Sequence, residues 1–132
     1  MSDKEKSMRS PLGIARGMGA ARQGTEHWKA QRYTALALIP VALYVLIGFV
    51  NNVVGGGYTG AMYWLQSPLS STFVILFLLA GLAHAVIGLQ VVIEDYVHCP
   101  AVRIALLLSV KIVAAALAIL GILSVAKIFF GV

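Results

Sequence analysis

The stretch His84 to Tyr96, HAVIGLQVVIEDY, holds the residues best suited to chemistry: an imidazole inside an apolar run that ends in Glu94, Asp95 and Tyr96. Eleven steps of about 100° bring Asp95 to within about 20° of His84, so the two share one helix face with Gly88 between them. An ionisable group within an apolar membrane helix is costly and faces protein, water or a cofactor. Neutral imidazole is a strong ligand for haem iron. The competing reading is an interhelical histidine that hydrogen-bonds its neighbours and binds nothing. On the first reading Gly88, one turn on, and Ala80 and Gly81, one turn before, remove bulk beside a flat macrocycle. His27 and His98 belong to the boundary, so a second axial histidine has to come from another chain.

The other candidate site is the pair Asp95 and Tyr96, approached from the first apolar helix by His27, Trp28 and Arg32. Quinone reduction takes two electrons and two protons, and needs a donor at a carbonyl oxygen with a proton route from water. Tyr96 can donate that hydrogen bond, Asp95 can orient it or relay protons, and Arg32 can stabilise negative charge on the ring. Arg32 equally suits an anion such as a haem propionate. The plainer alternative is that Glu94, Asp95 and Tyr96 finish a span at the membrane interface, with Lys29 and Arg32 as interfacial anchors.

These residues need helices to carry them. Of 132 residues, 60% are hydrophobic and only 11% charged, and the apolar ones fall in long runs. Three runs exceed the roughly 20 residues needed to cross a bilayer, which makes this an all-α integral membrane protein with no room for a soluble catalytic domain. The formal charge of +5 gathers before the first run and lacks an aromatic platform for nucleic acid. The one cysteine, Cys99, excludes an internal disulfide and a cysteine-only metal cage.

Residues 1–24 read as an extended basic arm, and 25–132 as a three-helix transmembrane domain with spans at about 29–52, 68–97 and 101–130. Thr25 is positioned to cap the first helix and Pro40 to bend it, with Asn51 and Asn52 ending it. The first apolar run is expected to be retained rather than cleaved as a signal peptide. The following loop carries Gly55 to Gly57, Tyr58, Tyr63 and Trp64 and no charge, an aromatic belt rather than a phosphate loop. Pro100 suits the first turn of the third helix. Lys111, well inside that helix, either snorkels back or meets an anion at a partner interface. Residues 1–32 hold Lys4, Lys6, Arg9, Arg16, Arg22, Lys29 and Arg32 at or before the start of the first span, whereas the first loop holds no basic residue. This orients the N-terminus to the cytoplasm, or to the matrix side in an organelle, and puts Asp95, Tyr96 and Arg32 on one side of the membrane.

Two stretches, GTEHWKAQRYTALAL and HAVIGLQVVIEDYV, resemble the hydrophobic membrane-anchor subunit, SdhD type, of bacterial succinate dehydrogenase, respiratory complex II. The histidine, the glycine four residues on and the acidic-Asp-Tyr-Val end, in the second of three spans behind a basic N-terminus, carry the likeness. It covers residue 24 onward. The resemblance implies that His84 is one axial ligand of haem b, the other coming from a second anchor subunit of the SdhC type. It also implies a ubiquinone site beside an iron–sulfur subunit, with Tyr96 as donor and Asp95 near it, Arg32 in a propionate or quinone role, and His27 in the same motif. A flavoprotein subunit would then oxidise succinate, and this chain would anchor the assembly in the bacterial inner membrane. The alternative is a structural anchor or assembly protein that holds no cofactor.

Overall fold

The structure, a computed structural model, describes residues 22–131. The basic arm therefore falls almost wholly outside the described residues. Four α-helices follow in order: α1 (Arg22–Gly48), α2 (Gly57–Gln66), α3 (Pro68–Tyr96) and α4 (Pro100–Phe130). A π-helical segment, Phe49–Val54, extends α1. Three stretches are long and apolar enough to cross a membrane: Trp28–Val54, Pro68–Tyr96 and Pro100–Phe130. This is a multi-pass, all-helical fold. The central helix is α3, packed against α1 on one side and α4 on the other.

Local sequence accounts for most of the boundaries. Pro68 and Pro100 each occupy the first turn of their helix, where the missing N–H is no loss. Gly131 closes α4 in the left-handed conformation, with φ of 70°, and its N–H bonds back to the carbonyl of Ile128. Pro40 lies inside α1. Thr25 does not cap the helix, since Arg22, Gln23 and Gly24 before it are already helical.

Two features depart from the sequence expectation on the side of the membrane away from α1's start. Asn51 and Asn52 do not stop the first helix. It widens into π-helical turns, in which the Gly55 N–H bonds the Val50 carbonyl at 3.0 Å and the Asn52 carboxamide donates to the Gly48 carbonyl at 2.9 Å. The side-chain amide thus substitutes for backbone pairing that a widened helix loses. Beyond it, the expected loop is the ten-residue helix α2. Gly57, with φ of 59°, makes the turn. Gly60 then lets α2 ride directly on the Asn52 carbonyl, and Gly48 lets the Trp64 indole lie against α1.

Little of the chain is buried within itself. Ser70, Ser71, Ile93 and Val125 are buried, whereas Leu36, Ile39, Leu46, Ile104, Ile119 and Leu123 are more than half exposed. That inversion is what a lipid solvent permits, since tails are as apolar as leucine and helices associate through close packing and polar contacts. Close packing is visible where Gly121 of α4 receives the Leu78 side chain of α3. A polar contact joins α1 to α3 where Tyr44 Oη meets Ser70 Oγ at 3.1 Å, with the Tyr44 ring stacked on Phe73 at 4.3 Å between centroids.

Because backbone sits where a Cβ on Gly60 would go, Gly60→Ala cannot be absorbed by a side-chain rotation. It should destabilise the α2 docking by about 1–3 kcal/mol. A lower thermal midpoint in detergent is the expected result, and an unchanged midpoint counts against the packing of α2 on Asn52.

Candidate functional site

His84 lies on α3 and turns toward α1. Its Nδ1 is 3.0 Å from the Thr34 hydroxyl and its Nε2 is 3.4 Å from the Gln31 carboxamide nitrogen. The imidazole is half-buried. Thr34 Oγ1 also lies 2.8 Å from the Ala30 carbonyl and 3.1 Å from that of Gln31. The Gln31 carboxamide oxygen is buried with no hydrogen-bond partner. Gly88 belongs to this contact, because a Cβ there would sit 3.3 Å from the Gln31 nitrogen. The space beside Gly88 is therefore taken by Gln31 rather than left for a macrocycle. Gly81, on the other side of the histidine, does face open space: a Cβ there would meet nothing within 4 Å.

Gln31 and Thr34 were not singled out from the sequence, although a signal was present. His27, Gln31 and Thr34 fall at intervals of four and three, a polar stripe along one face of an otherwise apolar helix. A polar stripe in a span needs a partner, and His84 provides it.

The antiparallel register of α1 and α3 follows from Thr34 opposite His84 and Tyr44 opposite Ser70. Counting from these pairs puts Arg32 about level with His84, and roughly 15 Å along the axis from Tyr96 at 1.5 Å per residue. Arg32 lies over the Trp28 ring, 4.4 Å from its centroid, in a cation–π contact between two exposed side chains. Among the described residues no hydrogen bond or ion pair joins Arg32 to Asp95 or Tyr96. His27 falls within the helical backbone of α1, but its side chain lies outside the described residues.

At the end of α3, Asp95 is exposed and Tyr96 is 79% exposed. Neighbouring Glu94 accepts a 2.8 Å hydrogen bond from the Gln90 carboxamide one turn back. The level opposite Asp95 on α1 is the very start of that helix, again beyond the described side chains. Among the described residues no cluster of three or more His, Cys, Asp or Glu side chains gathers as a metal site. Any metal held here would have to bring most of its ligands with it, as a haem does.

Residues 6–122 match the family described as Succinate dehydrogenase/Fumarate reductase transmembrane subunit. The chain belongs to that family. It is 32% identical over 105 residues to the succinate dehydrogenase hydrophobic membrane anchor subunit of Rickettsia bellii, covering 79% of this chain and 82% of that one. The protein of the same description from Paracoccus denitrificans is 26% identical over 102 residues, covering 76% and 78% respectively. The succinate dehydrogenase membrane anchor subunit of Reclinomonas americana is 27% identical over 95 residues, covering 70% and 79%. No solved structure matches the chain. Membership agrees with the resemblance in the two motif stretches, and the three apolar helices are those expected of a membrane anchor.

Proposed function

We propose that this chain is the hydrophobic membrane-anchor subunit of a succinate:quinone oxidoreductase, that His84 is one axial ligand of its haem b, and that Tyr96 and Asp95 form part of its ubiquinone pocket. The observation that carries the reading is the position of His84: a half-buried imidazole in the central span, oriented by two side chains of α1. The residues present fit a haem. One imidazole is offered, minimal side chains at Ala80 and Gly81 precede it with open space at Gly81, and the Gln31 side chain that stands at Nε2 beside Gly88 would have to withdraw for iron to bind there. A second anchor subunit would supply the other histidine. Bound haem would supply one-electron exchange between ferric and ferrous iron.

The chain's own residues divide the work by position. His84 binds, and α1 holds its ring. Arg32, about level with His84, is placed for a propionate rather than for the Tyr96 end, since its cationic head complements a carboxylate at that depth. Tyr96 donates a hydrogen bond to a quinone oxygen, and Asp95, exposed beside it, passes protons in from water. His27 lies between these levels on the same helix and belongs with the quinone pocket. The basic N-terminal side faces the cytoplasm of a bacterium across its inner membrane, where the iron–sulfur and flavoprotein subunits dock. The chain itself performs no succinate chemistry.

A second reading is favoured by one specific fact, that Thr34 and Gln31 already engage both ring nitrogens of His84. A structural histidine in a cofactor-free anchor would look the same. The reduced-minus-oxidised spectrum of the purified complex separates the two. His84→Ala should lose or shift the b-type band, and an unchanged spectrum would exclude His84 as a ligand.

Tyr96→Phe removes one donor and nothing else. Quinone reduction should fall by about tenfold, the loss set by roughly 1.4 kcal/mol of hydrogen bonding, while succinate oxidation by an artificial acceptor stays normal. Unimpaired quinone kinetics in that variant would remove Tyr96 from the pocket.

A further inference from the structure

We infer that Thr34 is a positioning residue that fixes the tautomer of His84, and that Gln31 is a placeholder on the nitrogen that binds iron; the inference rests on the haem reading above. The argument is one of hydrogen-atom placement. The Thr34 hydroxyl has a single hydrogen and three groups in reach: the carbonyls of Ala30 at 2.8 Å and Gln31 at 3.1 Å, and His84 Nδ1 at 3.0 Å. Carbonyls only accept, so both compete for that hydrogen, and the shorter contact is the back-bond to the residue four earlier that threonine makes within a helix. With the hydrogen so used, the hydroxyl oxygen faces Nδ1 as an acceptor. Nδ1 then carries the ring proton and donates it to Thr34.

The consequence falls on the other ring nitrogen. A neutral imidazole with its proton on Nδ1 has its lone pair on Nε2, the form that binds a metal through Nε2. Gln31 points its carboxamide nitrogen at that lone pair from 3.4 Å, a long contact. A half-turn of the carboxamide would present an acceptor instead, demand a proton on Nε2, and pull the Thr34 hydroxyl hydrogen off the backbone carbonyls. The observed arrangement leaves the Gln31 oxygen buried and unpaired. A buried unpaired carboxamide oxygen is costly, so the side chain has reason to leave this place once iron takes the lone pair. Gly88 lets it sit there meanwhile, since a Cβ at that position would crowd the Gln31 nitrogen at 3.3 Å.

Outer hydrogen bonds of this kind orient a ligating histidine and raise its basicity, and their loss costs about 10–100-fold in metal affinity. Thr34→Val keeps the shape and deletes the acceptor. In the purified complex it should lower haem retention by about 10–100-fold and shift the haem midpoint potential upward, because a less basic imidazole stabilises ferric iron less well. Thr34→Ser, which keeps the hydroxyl, should restore both. Gln31→Ala should keep the b-type band, since the carboxamide is not a ligand.

Subunit stoichiometry by gel distinguishes haem loss from failed assembly. If Thr34→Val does not assemble, the potential of Thr34→Ala decides by the same criterion. A Thr34 variant with wild-type potential and retention, in a complex whose band His84→Ala abolishes, overturns the role of Thr34 alone. Loss of the band in Gln31→Ala overturns the placeholder. A band that survives His84→Ala overturns the haem reading and this inference with it.

Discussion

The His84 imidazole carries one N–H and one lone pair, and a bilayer core offers no water to satisfy either. Both must find protein or a ligand. The structure meets the requirement by pairing α3 with α1 at one level, where Thr34 and Gln31 face the ring. That contact also fixes the register of the two helices, because a shift by one residue would carry the pair about 100° around the helix and away from the ring. Tyr44 against Ser70, some distance further along, repeats the same device with two hydroxyls. Two polar contacts therefore align helices whose remaining faces are mostly apolar.

Because packing among the spans is thin, the chain's outer surface is available to lipid and to a partner. Leu36, Leu43, Val113 and Leu120 all stand more than half exposed, spread over α1 and α4. In water such a surface would aggregate, and in a membrane it is neutral. The polar groups are the informative ones. Ser71, Thr72, Ser109 and Ser124 each return their hydroxyl to a carbonyl three or four residues earlier, so they need no outside partner. Gln31 has no such solution for its oxygen, and the unsatisfied atom lies beside the one histidine in the spans.

Composition and hydrophobic run length made the three spans legible, since a membrane helix is defined by little else. His84, Asp95 and Tyr96 stood out because an ionisable group is rare in such a run. What could not be read was what His84 touches. Helical periodicity placed it on a face with Gly88 and Asp95, but only the approach of α1 shows that Gln31 occupies the space at Gly88. The π-helical turns and α2 were hidden for a different reason: Asn51, Asn52 and three glycines are strong local breakers, and tertiary contact with Trp64 and Asn52 overrides them. Arg32 was grouped with Tyr96 by topology alone, which fixes the side of the membrane but not the depth.

Depth separates the two ends of α3. The α3–α4 register, set by Gly121 against Leu78, puts Lys111 about level with Gly88, and the α1–α3 register puts Lys29 there as well. With Arg32 about one turn away, three cations from two helices flank α3 within roughly one turn of its axis. Lysine and arginine reach toward phosphate from the edge of the hydrocarbon, so this level lies near that edge. His84 then lies inside that edge, within the hydrocarbon but nearer the basic side than the bilayer centre. Asp95 and Tyr96 stand roughly 16–18 Å further along the helix from His84, on the headgroup side of that edge. On the proposed function, a proton donor for quinone would belong where water can resupply it, and a histidine for iron where water cannot compete for the lone pair. One continuous helix, Pro68–Tyr96, meets both demands by crossing the boundary between them.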